Sequence, residues 1–342
     1  MRVITPQIAR IRARLFAQLR RFFDTRGYLE VDTPTLSPSL IPEAHIEVFR
    51  TEFLHPYDES HELYMVPSPE VWMKLLLAED FGNIYQLSHC FRNAETLSPI
   101  HNPEFTMLEW YSVDADYLDS AELTDSLLAE ILGQLSDVVP EDAARRCAGP
   151  ATRISVAEAF LEYAGLDVDI FGDLSAMRAG AKRLGLSVPE SQDPQTEHEE
   201  LFQRVFLTFV EPRLPTEHPI LLTDYPEIVP TLAARTTPGP FSQRWELYLS
   251  GVEIANCYTE ERDPGRLGNY LEQSDQAKAA ATVRHPPAMD LLRFSIAPAC
   301  SGVALGVDRL LAALLGLTGI QGVIFWPGFS IFRGQSGNRG TT

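Results

Sequence analysis

Ile8, Ile11, Leu15, Leu19 and Phe22 recur at 3-4-4-3 spacing and draw one apolar stripe along residues 5–26, which predicts an amphipathic helix. Thr5 suits its cap, Pro6 its first turn and Gly27 its stop. The opposite face carries Arg10, Arg12, Arg14, Arg20 and Arg21, either a solvated helix face or a docking patch for an acidic macromolecule. Period-two alternation predicts strands over 28–36 and 61–66, and Ser68-Pro69-Glu70 opens a helix to Ala78. Strands over 84–93 and 101–113, joined by the polar AETLSPI, read as a long hairpin with a loop at its tip. Helices are predicted over 119–135, 155–186, 197–210 and 307–316, with a polar link at 187–196. Further strands are predicted over 219–224, 243–256 and 323–326, and residues 331–342 as a frayed tail. Hairpin-linked strands interspersed with helices give an α+β fold with a mainly antiparallel sheet.

Composition narrows the class. A chain of 342 residues with 45% hydrophobic and 22% charged residues is globular. No apolar run approaches the ~18–20 residues of a membrane helix. Arginines interrupt the N-terminal apolar stretches where a secretory signal would lie, so the expected setting is the cytoplasm without membrane attachment. The formal net charge of −19 disfavours nonspecific nucleic-acid binding. Cys90, Cys147, Cys257 and Cys300 lie too far apart for a zinc clip and read as buried thiols.

Three clusters carry candidate chemistry. The first runs from Phe91-Arg92-Asn93 into His101-Asn102-Pro103-Glu104-Phe105, then Glu109 and Tyr111. On a strand, Phe105, Glu109 and Tyr111 share one face. The second holds Glu246, Glu253, Asn256 and Glu260. In the third, the small-residue run Ser301–Gly306 turns into a helix bearing Arg309, and Gly302 and Gly306 are expected to let backbone approach a ligand. Paired carboxylates suit Mg²⁺ shared with phosphate oxygens, and arginines offer forked donors to phosphate or carboxylate. An aromatic ring and a guanidinium can sandwich a purine. Surplus acids such as Glu70, Glu109 and Glu260 suit a substrate with ammonium groups, so the set points to a nucleoside triphosphate beside a cationic small molecule. Neither a Walker A loop nor G-x-G-x-x-G is present.

These residues resemble the three motifs of class II aminoacyl-tRNA synthetases, specifically the lysyl subgroup. GYLEVDTPTL (27–36) is similar to motif 1, FRN…HNPEFTMLEWY (91–111) to motif 2 and GVALGVDRL (302–310) to motif 3. VEIANCYTEERD (252–263) is similar to the segment that completes the lysine pocket, and the similarity spans residues 7–330. The first helix starts at about residue 6, where lysyl-tRNA synthetases carry an N-terminal OB domain for the anticodon. The layout without it resembles the elongation factor P β-lysine ligases, paralogues that modify a protein lysine instead of tRNA.

That resemblance implies an antiparallel sheet flanked by helices in a homodimer, with ATP and Mg²⁺ as cofactors. It implies one catalytic domain over 1–330, with 137–218 a mainly helical insertion. The amino acid would be lysine or (R)-β-lysine, activated as an adenylate, and elongation factor P the acceptor. Arg92 would hold the α-phosphate and the amino-acid carboxylate, His101 would approach the terminal phosphates, and Phe105 and Arg309 would flank adenine. Glu246 and Glu253 would hold Mg²⁺, Glu70 would meet one amino group, and Glu109, Tyr111, Asn256 and Glu260 would line the remaining pocket. Ala304 stands where lysyl-tRNA synthetases have glycine, reshaping that pocket by one methyl. Ala94 replaces the motif 2 glutamate in a loop one residue longer than usual, which leaves Glu95 to reach adenine. The loop TDYPEIVPTLA (223–233) is closer to the lysyl-tRNA synthetase form. Alternatives are a free-standing enzyme that passes the adenylate to tRNA or a small molecule, and a silent amino-acid-binding paralogue.

Overall fold

Thr5 opens the first helix as predicted: its hydroxyl accepts from the Ile8 N–H, and α1 (Pro6–Asp24) buries Ile11, Leu15, Leu19, Phe22 and Phe23. The computed structural model describes residues 4–43, 45–94, 98–187, 193–236, 239–278 and 282–328. After α1 come β1 (Leu29–Glu30), β2 (Leu36–Ser37), β3 (Arg50–Phe53), β4 (His61–Met65), α2 (Glu70–Ala78), β5 (Ile84–Phe91) and β6 (Glu104–Val113). The middle of the chain holds α3 (Tyr117–Gln134), α4 (Glu141–Cys147), β7 (Thr152–Ser155), α5 (Val156–Ala159), α6 (Leu174–Arg183) and α7 (Pro194–Val205). It continues through β8 (Ile220–Pro226), β9 (Phe241–Leu249), β10 (Val252–Thr259), α8 (Pro264–Ala277), β11 (Cys300–Gly306) and α9 (Val307–Leu314).

Eight strands form one sheet in the order β1-β5-β6-β11-β10-β9-β8-β7, with a small β2-β4-β3 sheet beside it. Only the outer pairs β1–β5 and β7–β8 are parallel; the interior is antiparallel, which is the α+β class expected. One face packs Trp110, Trp245, Leu247, Val303 and Leu305 against the apolar sides of α1, α3 and α9. A second core lies under α5–α7 on Ile220 and Leu222 of β8, and a third joins α2, α8 and the 3-10 turn Met289–Ile296. No helix of the described residues is long and apolar enough to cross a membrane. All four cysteines are free and buried.

The structure departs from the sequence pattern where local chemistry interrupts the period. Predicted strand 243–256 is a hairpin: Ser250 and Gly251 take φ values of 52° and 77°, the pair of positive values that a two-residue turn between twisted strands requires. Helix 155–186 is broken where Gly165 turns left-handed, and Asp167 and Asp173 cap new turns. Of 28–36, only Leu29 and Glu30 pair with β5 before Pro34. Residues 323–326 form no strand but follow the 3-10 turn Ile320–Gly322, and α4 and α8 had no counterpart in the pattern. The tail lies outside the described residues.

The arginine face of α1 is not a free basic patch. Arg12 reaches Asp308 Oδ1 at 2.5 Å and Thr106 Oγ1 at 2.8 Å, Arg14 pairs with Asp137, and Arg20 with Glu30. Three of the five arginines therefore spend their charge within the fold. Asp308 also accepts from the Thr106 N–H at 2.7 Å, so this pair ties α1, β6 and the start of α9 together. Arg12→Ala would strand Asp308, which is 3% exposed, without its cation. Denaturant melts should show a loss of about 3–5 kcal/mol, against less than ~1 kcal/mol for Arg14→Ala on the exposed pair.

Candidate active site

Pairing across the sheet sets Gln86, Glu109, Ala304, Asn256 and Glu246 side by side in one transverse row. The row two residues along holds Ile84, Tyr111, Gly302, Tyr258 and Arg244 on the same face. Strict alternation would aim Glu253 and Asn256 to opposite faces. A bulge places Glu253 opposite Tyr248 and Ala255 opposite Leu247, so Ile254 is the extra residue and Glu253 returns to the site face.

A cavity of about 250 Å³ opens over this face, lined by Arg92, His101, Phe105, Asn256, Ala304 and Arg309, with Glu253 at its edge. The Arg92 guanidinium lies 5.3 Å from the Phe105 ring centre, within cation–π reach. Arg309, on the first turn of α9, donates to the Glu253 carbonyl at 2.9 Å and lies 3.2 Å from its carboxylate. His101 Nδ1 is 2.8 Å from Ser98 Oγ. Ala94 is exposed with φ 53°, and Glu95 lies outside the described residues.

Glu70, Glu109, Tyr111 and Glu260 do not line that cavity. They close up behind it, where Tyr111 donates to Glu109 at 2.8 Å, Ser68 donates to Glu109 at 2.6 Å and Tyr258 donates to Glu70 at 2.5 Å. Between them lies a cation that the sequence pattern did not single out. Lys74 Nζ is 2.6 Å from Glu70 and 2.5 Å from Glu260, and the lysine is fully buried. Gly302 makes this packing possible: a Cβ there would come within 2.6 Å of Glu260 Oε1 and of the Tyr111 ring. Its smallness thus admits the pocket's own side chains, while Gly306, where a Cβ would meet only ordinary contacts, lines the cavity. Burial pushes Glu109 up to about 8, with the charge of Glu70 adding to it and the Ser68 and Tyr111 hydrogen bonds opposing. Burial likewise pushes Glu260 up to about 8 against the pull of Lys74.

Glu246 and Glu253 stand across the β9–β10 hairpin. Glu246 accepts from Tyr225 at 2.5 Å, Tyr248 at 2.8 Å and Arg244 at 2.6 Å. Burial raises its pKa; Arg244 opposes the rise and Glu253 adds to it. Arg244 also donates to Asn256 at 3.1 Å and, like Lys74, is a charged side chain of the candidate site that the motif reading missed. The signals were present: Lys74 follows Glu70 by four on a helix, and Arg244 precedes Glu246 by two on a strand. The two carboxylates offer hard oxygens of the kind Mg²⁺ takes, and in this structure Arg244 and Arg309 pair with them. Among the described residues no cluster of three or more His, Cys, Asp or Glu is arranged to hold a metal ion.

The sequence matches the family described as tRNA synthetases class II (D, K and N) over residues 3–330. This chain belongs to that family. Similar class II relatives include the elongation factor P–(R)-β-lysine ligase of Vibrio vulnificus, 37% identical over 93% of this chain and 94% of that protein. The protein of the same name from Yersinia enterocolitica is 36% identical over 92% of this chain and 93% of its own length. That from Proteus mirabilis is 36% identical with the same shares. The segments that resemble class II motifs 2 and 3 fall on β5–β6 and β11–α9, strands of the transverse row and the helix turn that supplies Arg309.

The raised carboxylates have a thermodynamic consequence. A group whose pKa rises on folding stabilises the fold below its ordinary value and loses that contribution as pH climbs through the folded value. Thermal stability of the unliganded protein should therefore fall between pH about 4.5 and about 8. Glu109→Gln should raise the melting temperature at pH 8 and leave it nearly unchanged at pH 5, read by calorimetry.

Proposed function

We propose that this class II chain activates a lysine-type amino acid, (R)-β-lysine or lysine, with ATP and transfers it to a lysine side chain of elongation factor P. One juxtaposition carries the reading: a cavity bounded by Arg92, Phe105 and Arg309 abuts the buried acids Glu109 and Glu260 and the partly buried Glu70. Phosphate chemistry thereby meets recognition of a dication. The names of the relatives support the amino acid and the acceptor.

The substrate carboxylate attacks the α-phosphorus, pyrophosphate leaves, and an aminoacyl-adenylate remains. The acceptor amine then attacks the carbonyl carbon, losing a proton as AMP departs. Arg92 neutralises charge on the α-phosphate and aligns the carboxylate, while Phe105 and Arg309 hold adenine between them and His101 meets the terminal phosphates. Glu246 and Glu253 would hold Mg²⁺, which supplies charge neutralisation for the phosphates. Glu70 receives one ammonium, Glu109, Tyr111, Asn256 and Glu260 enclose the rest, and Ala304 narrows the floor between Glu109 and Asn256. Residues 1–330 act as one catalytic unit with 137–218 as its helical insertion, in the cytoplasm. Exposed Leu29 and Leu36 of the motif 1 segment suit a homodimer contact.

The test is ATP–pyrophosphate exchange with α-lysine, with (R)-β-lysine and without amino acid, followed by mass spectrometry of elongation factor P incubated with enzyme, ATP and the preferred isomer. Exchange stimulated by (R)-β-lysine together with acceptor modification is the expected result. Exchange without acceptor modification would point to a synthetase-like enzyme serving another acceptor, and no exchange would overturn the reading. Arg92→Ala should lower kcat/KM for exchange by about 10²–10³-fold, the range for removing a donor aimed at developing charge.

A further inference from the structure

A lysine-type substrate is proposed to enter a pocket that already contains a lysine of the protein. Lys74 projects from α2 into the space between α2 and β10, with its ammonium at 2.6 Å from Glu70 and 2.5 Å from Glu260. Tyr258 and Phe294 flank it, their ring centres 5.2 and 5.3 Å from Nζ. Its side chain is 1% exposed, so water contributes little to either partner.

Three carboxylates meet here: Glu70, Glu109 and Glu260. With one ammonium built in, these carboxylates keep a net negative charge when ionised, which suits a substrate that carries ammonium groups. The geometry adds a second constraint, because Lys74 fixes the distance between a carboxylate on a helix and one at the end of a strand. We propose that Lys74 is a positioning and specificity-determining residue, a built-in ammonium that clamps Glu70 to Glu260 and sets the pocket for a substrate with two ammonium groups. This rests on the functional reading above.

The groups facing this clamp are Glu109 and Tyr111 from β6, Tyr258 from β10, the Cys300 thiol from β11, and Glu43 and Tyr270 nearer Glu70. Burial acts to lower the pKa of Lys74, but the charges of Glu260 and Glu70 hold it above its ordinary value, so it stays an ammonium. Burial pushes Glu260 upward and Lys74 opposes that rise. Removing Lys74 therefore leaves Glu260 protonated to higher pH, in which form it cannot pair with a substrate ammonium.

Lys74→Met and Lys74→Arg should be compared with the unaltered enzyme in amino-acid-dependent exchange across pH 6–9, with ATP and amino acid varied separately. In the unaltered enzyme, the amino-acid KM should fall as pH rises toward about 8. Lys74→Met should raise the amino-acid KM at pH 7 by about tenfold or more, the equivalent of one pKa unit, and move that fall to higher pH. The ATP KM should stay within about twofold, marking loss of amino-acid binding alone. Lys74→Arg should recover the pH profile, since it keeps the charge, but only part of the KM, since a planar fork cannot reproduce both distances. Equal changes in both KM values, or an unshifted pH profile, would overturn the proposal in favour of a purely structural lysine. If Lys74→Met does not fold, Lys74→Arg decides: an amino-acid KM equal to that of the unaltered enzyme overturns the positioning role. Absence of exchange in the unaltered enzyme would instead overturn the functional reading, so the two failures are distinguishable.

Discussion

Carboxylates held out of water are the constraint around which this molecule is built. An ionised carboxylate buried without partners costs several kcal/mol, and the protein buries Glu109, Glu246 and Glu260 within one face of one sheet. Each has an answer close at hand, from its own strand or an adjacent segment: Ser68 and Tyr111 for Glu109, Arg244, Tyr225 and Tyr248 for Glu246, and Lys74 for Glu260. Phenols recur because a tyrosine can pack its ring on the sheet and still present a donor at its tip. The partners sit largely on regular elements, so the pocket inherits the rigidity of the antiparallel ladder.

The same face separates its charges. The arginines of the cavity, Arg92 and Arg309, lie on one side, and the acids that meet Lys74 on the other. Ala304 and Asn256 occupy the middle of the row, small and uncharged, where the ends of two differently charged substrates would have to meet. A charged side chain there would pair with one end of the site and disable it.

Much of this was legible in the sequence, and the misses have physical causes. The α1 stripe, the β5–β6 hairpin and the shared face of Phe105, Glu109 and Tyr111 follow from period alone, because nothing interrupts those runs. Glu253 could not be aimed correctly, since a bulge adds a residue without leaving a pattern in the side chains. The Ser250–Gly251 turn was hidden inside an alternation that continues on both sides of it. Lys74 escaped notice because a lysine on a helix is ordinarily solvated, and only the approach of Glu260, far along the chain, makes it a buried ion. The arginines of α1 misled in the opposite sense: their spacing drew a basic face, but Asp137, Glu30 and Asp308 were already placed to meet three of them.

The bond between Arg12 and Asp308 spans 296 positions of sequence. Closing so long a loop adds only a logarithmic entropy cost, so the equilibrium tolerates it; time does not. While the chain is being synthesised, α1 has its apolar stripe to bury and an arginine with no acid to receive it until translation has passed Asp308. The same turn carries Arg309. A nascent chain can thus hold every acid of the deep pocket before Arg309 exists, so the cavity beside that pocket is completed only with the turn that also brings Asp308 to Arg12.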